Sequence, residues 1–373
     1  MTKKDPKEYL LAHSKAKIQL LNEYLSRYLS ILSLAGYTPE IKIYDVFCGA
    51  GLYKDEGKGS PFVILEAIKK FLDSQTALGK EVPTYFSCMF NDVDELKIEG
   101  LKKNIEIQLP GIENIAELNY SSTDYSQAIK TISEEVAEFD KEKGFIFIDP
   151  YGYKIKIDDI KNLVATRKAE VLLFLPIQFM YRFANKATPQ SLREFMSDLA
   201  EEENLPESNS EFEYIENLRT LFAKKIGKDF FVDSFFIKKD ASTVFSLFFF
   251  CSHILAFEKM LESKWRIDNE QGIGWKYNTS GDSLFGELLR TNPLETKIIE
   301  FLKTGNKSNG EIYRFTLNCR FLPTHATQVL SKLQSTGQIS VTAADGSKPR
   351  KGSFYINYKE FRDNHNRVSI ASL

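Results

Sequence analysis

The sequence predicts an α/β protein built on a doubly wound sheet of about seven strands, with a long helix before the sheet and a small second domain after it. Two observations predict this fold. Short apolar runs alternate along the chain with segments whose apolar residues recur at helical spacing, and several of the apolar runs end in glycine or in an acidic residue. The length of 373 residues is enough for two domains.

The composition is that of an ordinary globular protein. Hydrophobic residues make up 43% of the chain and charged residues 27%, and the net charge is −2, so any contact with nucleic acid must be local. Cys48, Cys88, Cys251 and Cys319 lack CxxC spacing and the histidines are dispersed, which predicts reduced thiols and no metal site. There is no apolar signal core and no apolar run long enough to span a bilayer, so we expect a cytoplasmic protein without membrane contact.

The stretch from Ile41 to Pro61 begins like a buried parallel strand and then breaks into Gly49 and Gly51. Glycine tolerates positive φ and has no Cβ, so the backbone amides of this turn can approach a ligand closely. Asp45 is a charged residue within the apolar strand and needs a donor, from a loop amide or from a ligand. The full GxGxxG pattern is absent because Lys54 occupies its third position, so a tight turn without a ligand is the alternative.

Acidic residues also follow the next two predicted strands. Asp92 follows the strand that ends at Phe90, where a carboxylate can accept hydrogen bonds from both hydroxyls of a ribose. Asp94 is better placed to cap the next helix, or to make a second contact. Asp124 follows the third strand and could bond an adenine amino group, although capping of the following helix fits it equally well.

The stretch GFIFIDPYGY forms a fourth apolar strand that ends in Asp149, Pro150 and Tyr151. The carboxylate and the proline carbonyl can accept from a planar amine while the aromatic ring stacks on it. A strand terminator with a turn is the alternative. Because the carboxyl ends of parallel strands meet at one edge of a sheet, these stretches together predict a single binding site.

The segments YDVFCGAG, FNDVD and FIDPYG resemble, in order and spacing, three motifs of the class I S-adenosylmethionine-dependent methyltransferases. More closely, VFCGAGLY with GSP, FNDVDE, FIDPYGY and KMLESKWRID resemble the bacterial three-Cys-motif partner proteins over about residues 8–275. That family is named for its pairing with a separate protein that carries three cysteines. The resemblance implies a Rossmann-like methyltransferase fold, S-adenosylmethionine as cofactor and a three-cysteine, radical-SAM-like partner protein.

The resemblance also implies roles for individual residues. The glycine turn would line the methionine end of the cofactor, and the next two strand ends would hold the ribose and the adenine. The cofactor contacts so implied are Asp45, Phe47, Gly49, Gly51, Asp92 and Asp124. The methyl-acceptor pocket would consist of Asp149, Pro150 and Tyr151. Tyr151 departs from the pattern of amino methyltransferases that act on nucleobases, which usually carry a second proline at this position.

The rest of the first domain, residues 1–280, shows further organisation. Residues 8–34 predict one long amphipathic helix, and residues 184–229 predict a helical insertion after the fifth strand. Residues 230–237 and 243–254 predict an antiparallel pair that closes the sheet. The polar, glycine-containing segment from Trp265 to Ser280 predicts the linker to the second domain.

Residues 290–373 predict a winged-helix domain, because three helices precede an apparent hairpin over residues 339–358. From Arg290 onward there are 13 Lys and Arg residues against 6 Asp and Glu, a net charge of about +7 that leaves about −9 for the rest of the chain. Candidate nucleic-acid contacts on the third helix and the wing are Gln328, Lys332, Lys348, Arg350 and Lys351. Winged helices also dock proteins, so this alternative stays open.

These features predict a methyltransferase-like protein that acts on an amine of nucleic acid, together with a partner protein, by in-line transfer of a methyl group. The first alternative is a non-catalytic nucleic-acid-binding or adaptor subunit that retains the same fold. The second is a metal-dependent nuclease that uses Asp45, Asp92 and Asp149, for which the sequence lacks a supporting motif with lysine.

Overall fold

The computed structural model describes residues 12–183, 190–200, 208–240, 243–276 and 293–373. The chain divides into two compact units, Met1–Tyr277 and Asn278–Leu373. The first unit contains an eight-stranded sheet and the second a three-stranded sheet.

Eight strands form the mixed sheet of the first unit. They are β1 (Glu40–Asp45), β2 (Tyr85–Asn91), β3 (Glu117–Ser121), β4 (Lys143–Ile148), β5 (Ala169–Pro176), β6 (Phe231–Asp240), β7 (Thr243–Cys251) and β8 (Gly274–Lys276). Their order is β3-β2-β1-β4-β5-β7-β6-β8. The strands β1 to β5 are parallel, and β7 is antiparallel to both of its neighbours. The predicted doubly wound α/β sheet is thereby confirmed, with an eighth strand at its edge.

Nine helices accompany this sheet in the described part of the unit. They are α1 (Ala12–Leu34), α2 (Ser60–Ala77), α3 (Glu95–Gln108), α4 (Tyr125–Glu138), α5 (Ile157–Ala165), α6 (Ile177–Phe183), α7 (Gln190–Ala200), α8 (Glu211–Ile226) and α9 (Ile254–Ile267). The helix α1 corresponds to the predicted N-terminal helix, and residues 8–11 of that prediction lie outside the described residues. The helices α7 and α8 lie in the segment expected to be an insertion, whose residues 184–189 and 201–207 also lie outside them.

The core lies on both faces of the central strands. Four consecutive residues of β4, from Phe145 to Ile148, are fully buried, as expected for a parallel strand covered by helices on both sides. On one face, Tyr24 of α1 packs against Phe145 and Phe249, with ring centroids 5.8 and 4.8 Å away. On α8, Phe222 packs 4.8 Å from Phe248. Each such buried ring contributes roughly 2 kcal/mol, and the helices are thereby fixed on the sheet.

The predicted linker from Trp265 to Ser280 is wrong for residues 265–276, and its residues 277–280 lie outside the described part. The helix α9 extends to Ile267, and β8 then pairs with β6. The Asp268 carboxylate turns the chain by accepting from the amides of Gln271, Ile273 and Gly274 at 2.9–3.2 Å. A Cβ on Gly274 would lie 2.4 Å from the Phe236 carbonyl oxygen, so this glycine permits close strand pairing.

The second unit combines helices with a small antiparallel sheet. Its elements are α10 (Pro293–Lys303), β9 (Lys307–Ser308), α11 (Asn309–Asn318), α12 (Pro323–Ser335), β10 (Ile339–Ala343), α13 (Tyr358–Arg362) and β11 (Val368–Ser372). The three predicted helices are confirmed as α10, α11 and α12. A capping box starts α11, because Ser308 accepts from the Glu311 amide while the Glu311 carboxylate accepts from the Ser308 amide.

The predicted hairpin over residues 339–358 is wrong in its second strand. The partner of β10 is β11, which lies ten residues and more beyond the predicted strand and also pairs with β9. Phe354 and Ile356 alternate with polar residues like a strand, yet both are buried without pairing. The following helix α13 begins where Asn357 accepts from the Glu360 amide at 3.1 Å. Because alternate residues of this loop are buried, its sequence shows the same alternation of apolar and polar residues as a strand.

Candidate functional site

The carboxyl ends of β1, β2 and β4 lie side by side in the middle of the sheet. Asp45, the last residue of β1, is paired in register with Phe90 of β2 and Phe147 of β4. The segments that follow these strands therefore begin at neighbouring points on one edge. The structure thus brings together the three stretches from which the site was predicted.

The two glycines of the turn after β1 have different neighbours. Both have positive φ, +62° at Gly49 and +75° at Gly51. A Cβ on Gly51 would lie 2.5 Å from Leu101 and 2.9 Å from Phe62, so this glycine lets the turn pack against α2 and α3. A Cβ on Gly49 would meet nothing within 4 Å. Gly49 therefore faces open space at the strand edge, where a ligand could approach the backbone.

Asp92 is buried at the end of β2 and binds the glycine turn. Its Oδ2 accepts from the Gly49 amide at 3.1 Å, and its Oδ1 accepts from the Asp94 amide at 3.0 Å. The Lys97 ammonium lies 3.3 Å from both oxygens. A carboxylate has about four acceptor positions, so all of them have a donor here. Asp94 caps α3 by accepting from the Leu96 amide, as predicted.

Asn91 is a site residue that the sequence did not single out. Its side-chain amide donates to the carbonyls of Val46 at 3.1 Å and Thr123 at 3.0 Å, and its oxygen accepts from the Thr123 amide at 3.1 Å. It thereby joins the segments after β1 and β3 to the end of β2. In the sequence, Asn91 could have been noticed as an amide side chain at the end of a predicted buried strand, because such a side chain donates and accepts hydrogen bonds at the same time.

Asp45 is fully buried, and neither of its carboxyl oxygens has a hydrogen-bond partner of good geometry among the described residues. Burial raises the pKa of Asp45 to about 7, and the nearby Asp149 acts in the same direction. The Ser60 hydroxyl, Lys17 and the Phe47 amide partly oppose that rise. Buried polar groups nearly always have a partner, so this carboxyl is a candidate for binding a ligand or a proton.

Asp149 forms an ion pair with Lys17, a residue of α1 that the sequence did not point to. The side chains are 8% exposed for Lys17 and 23% for Asp149. Burial lowers the pKa of Lys17, but the charge of Asp149 and the neighbouring Tyr53 outweigh it, and the pKa is raised overall. The Lys17 ammonium also lies 4.7 Å from the centre of the Phe174 ring.

Lys17 could have been found from its position in the helix. It precedes Leu20 and Leu21 by three and four residues, and both of these are fully buried. A lysine on the apolar face of a helix must find a counter-charge, because an unpaired buried ammonium is costly.

The other two residues of the predicted acceptor pocket, Pro150 and Tyr151, follow Asp149 in the chain and differ in their contacts. The Pro150 carbonyl accepts from the Gly152 amide at 3.0 Å, which leaves one acceptor position on the oxygen. Tyr151 is 66% exposed, and the Lys97 ammonium lies 5.4 Å from the centre of its ring. Lys97 therefore lies between the Asp92 carboxylate and the Tyr151 ring.

A cavity of about 140 Å³ lies beside Lys97, Asp149 and Tyr151, and neither Asp45 nor Asp92 is among its lining residues. Its lining includes Lys17, Phe47, Gly49, Gly51, Lys97, Asp149 and Tyr151. This volume is below the 300–1,000 Å³ of typical small-molecule sites, so the cavity matches the end of a ligand rather than a whole one.

Phe47 stacks on Tyr125 at 5.9 Å, with the ring planes 8° apart. Asp124 caps α4 by accepting from the Gln127 amide at 3.1 Å and is exposed.

The described residues offer no arrangement of three or more His, Cys, Asp or Glu side chains suited to a metal ion. The four cysteines are unpaired, three of them buried and Cys319 half-buried. None of the helices in the described part of the chain is both long and apolar enough to cross a bilayer.

The candidate nucleic-acid contacts of the second unit are all on its surface. Gln328 and Lys332 are exposed on α12, and the Lys332 ammonium binds both carboxylate oxygens of Glu295 at 2.7 and 2.9 Å. Lys348, Arg350 and Lys351 are exposed in the segment between β10 and β11. No ion pair involves these three side chains within the described residues.

Comparison with known proteins finds a family for the C-terminal part of the chain. Residues 276–346 match the family model of the GMT-like wHTH domain. No curated protein matches the sequence. Solved structures found by comparison include an O-methyltransferase from Bacillus cereus in complex with SAH, at 10% identity over 67% of this chain and 92% of that chain, with a TM-score of 0.33. Another is the O-methyltransferase TomG from Streptomyces achromogenes in complex with SAM, at 11% identity over 67% and 91%, also with a TM-score of 0.33.

The strand order and the family match together define the class of protein. It is an α/β protein with a large mixed sheet and a C-terminal winged helix-turn-helix domain. The order of its first five strands, 3-2-1-4-5, is that of doubly wound nucleotide-binding sheets.

Proposed function

We propose that this protein is an S-adenosylmethionine-dependent methyltransferase that acts on an amine of nucleic acid and works with a partner protein. The observation that carries the proposal is the meeting of Asp45, Asp92 and Asp149 around a glycine turn with an open face at Gly49. In doubly wound sheets, ligands bind at this edge. The sequence motifs that resemble those of class I methyltransferases supply these same residues.

The residues at the strand edge fit the proposed cofactor. The Asp45 carboxyl would bind a cationic group such as the amino group of the methionine end, and Gly49 leaves room for it. The ribose hydroxyls would bind at Asp92. Because the four acceptor positions of Asp92 have donors, Lys97 must give up a contact, which its partly exposed side chain can do. Phe47 and Asp124 are also proposed to contact the cofactor at this edge of the sheet.

The proposed cofactor would supply a methyl group on a sulfonium. The N–CH₃ bond would form as the S–CH₃ bond breaks, a neutral thioether would leave, and the Asp149 carboxylate would take the proton that the amine loses, so the protein mainly positions the acceptor. The Asp149 carboxylate and the remaining acceptor position of the Pro150 carbonyl would accept from the N–H groups of the amine. The exposed Tyr151 ring would stack on the base that carries it. A planar amine fits two acceptors and one ring better than an aliphatic hydroxyl does.

The second unit would bring the nucleic acid. Its residues from Arg290 onward carry a net charge of about +7, and the exposed Gln328, Lys348, Arg350 and Lys351 would contact the DNA or RNA. The three-cysteine partner protein is part of this proposal on the basis of sequence resemblance alone.

Calorimetry with S-adenosylmethionine and transfer of a tritiated methyl group to DNA, tRNA or cell protein test the proposal. We expect binding of the cofactor and labelling of nucleic acid. Asp149→Ala should abolish transfer but leave cofactor affinity within about threefold, because this carboxylate contacts the acceptor. Absence of any cofactor binding would contradict the proposal and leave a non-catalytic adaptor subunit as the better explanation.

A further inference from the structure

The Lys17 ammonium is the cation in direct contact with the proposed acceptor carboxylate. It comes from α1, far from the sheet motifs in sequence, and it lines the same cavity as Asp149 and Tyr151. Its aromatic neighbour Phe174 lies at the end of β5. The helix α1, the segment after β4 and the strand β5 therefore meet at the Lys17 ammonium.

The charged groups around Asp149 indicate the role of the Lys17 ammonium. The groups that face Asp149 are Lys17 on α1, Asp45 on β1 and Tyr53 in the loop after β1, with Lys97 of α3 lining the same cavity. Two carboxyls close together in a buried place cannot both stay ionised without a counter-charge. Lys17 supplies that charge to Asp149, while Asp45 takes the raised pKa.

We propose that Lys17 is a positioning residue of the acceptor site: it holds Oδ2 of Asp149 and leaves Oδ1 as the oxygen that accepts from the N–H of the methyl acceptor. This inference rests on the proposed function. A carboxylate fixed in this way presents one acceptor oxygen in one orientation.

A second buried ion pair lies away from the candidate site and serves as a control for the pair of Lys17 and Asp149. Lys264 of α9 binds Asp233 of β6 at 2.6 Å, with side chains 2% and 1% exposed, and neither residue lines the cavity. Like Lys17 with Asp149, this pair joins a covering helix to the sheet. Replacement of Lys264 therefore reports the cost of breaking a buried ion pair without changing the acceptor carboxylate.

The test compares Lys17→Met, Lys17→Arg and Lys264→Met in the full-length chain. Nitrogen-15 NMR follows the titration of the Lys17 ammonium in the wild type and in Asp149→Asn. Its midpoint should fall in Asp149→Asn, because the charge of Asp149 raises the pKa of Lys17 against the effect of burial. At saturating cofactor and acceptor, kcat for methyl transfer should fall about tenfold in Lys17→Met and recover partly in Lys17→Arg, while Lys264→Met should keep the wild-type kcat.

An unchanged Lys17 midpoint in Asp149→Asn would overturn the inference. So would an equal loss of kcat in Lys264→Met, because the loss would then come from the fold. If Lys17→Met does not fold, the Lys17 titration in Asp149→Asn decides alone. If the wild-type protein transfers no methyl group, the proposed function fails, while the Lys17 titration still decides whether the two charged groups are coupled.

Discussion

The backbone amide of Gly49 donates a hydrogen bond to Oδ2 of Asp92 over 3.1 Å. This bond joins the turn after β1 to the end of β2. The Asp92 carboxylate thus holds the glycine turn in place while Lys97 covers its remaining acceptor positions. The edge of the sheet is therefore organised by one carboxylate before any ligand arrives.

Gly49→Ala should weaken cofactor binding more than it destabilises the fold. The substitution forces a Cβ onto a residue with φ of +62°, at a cost of about 1–2 kcal/mol in the free energy of unfolding. The new Cβ would also lie in the open space where the ligand is expected. Urea denaturation and calorimetry with S-adenosylmethionine measure the two effects.

Gly79→Ala is the matched control for Gly49→Ala. Gly79 has φ of +67° and open space around its Cβ position, and it follows the C-terminus of α2 away from the cavity. Both variants should lose similar stability, but only the first should lose affinity. Equal affinities in the two variants would contradict the placement of a ligand at Gly49.

Asp92→Ala should both destabilise the protein and remove cofactor binding. It leaves the amides of Gly49 and Asp94 without their acceptor, at a cost of about 2–4 kcal/mol in the free energy of unfolding. Asp94→Ala is the control, because it removes only the cap of α3 and should cost about 1 kcal/mol. Thermal unfolding and calorimetry distinguish them, and a loss of affinity in Asp94→Ala as large as in Asp92→Ala would refute the ribose assignment.

Most of the sheet could be predicted because its strands have fully apolar runs whose ends carry glycine or aspartate. The order of these ends along one edge follows from parallel pairing, so the approach of Asp45, Asp92 and Asp149 was predictable as well. The place of Lys17 on the apolar face of α1 indicates that its ammonium needs a counter-charge, but it does not indicate which carboxylate supplies that charge. Local patterns carry no information on such a long-range partner.

The two errors in the fold have a similar origin. The predicted linker rests on polar residues and glycines, although Gly274 serves the close pairing of β8 with β6. In the second unit, the alternation around Phe354 and Ile356 comes from burial of a loop, and the true partner strand lies further along the chain. Both segments depend on tertiary contacts that a short sequence window cannot show.

The stability of the wild-type protein relative to Asp45→Asn should fall as the pH rises from about 4 to about 8. Burial raises the pKa of Asp45 to about 7, above its value in the unfolded chain. The stabilisation from holding this proton is complete below about pH 4 and is lost as the pH rises through 7. The difference in unfolding free energy should therefore change by at most about 4 kcal/mol. Urea denaturation at several pH values measures it, and a constant difference would show that Asp45 is ionised throughout.

Alanine substitutions at Lys348, Arg350 and Lys351 should each weaken binding to a short labelled DNA or RNA duplex. Each cation that contacts a phosphate releases counterions, so its loss should reduce the slope of log K against log salt by about 1. Lys359→Ala serves as the control, because Lys359 is also exposed but lies on α13. An unchanged slope in all three variants, or an equal reduction in Lys359→Ala, would remove the wing from the interface.

Glu295→Gln should tighten nucleic-acid binding at low salt through Lys332. The Lys332 ammonium binds the Glu295 carboxylate at 2.7 Å, and this exposed pair contributes at most about 1 kcal/mol. Loss of the carboxylate frees the ammonium for a phosphate, so affinity should rise a few-fold, and most of the gain should disappear in the Lys332→Ala background. Fluorescence anisotropy over a salt series measures the four affinities of this cycle. An equal gain in both backgrounds would mean that Glu295 acts only by long-range repulsion and that Lys332 does not contact the nucleic acid.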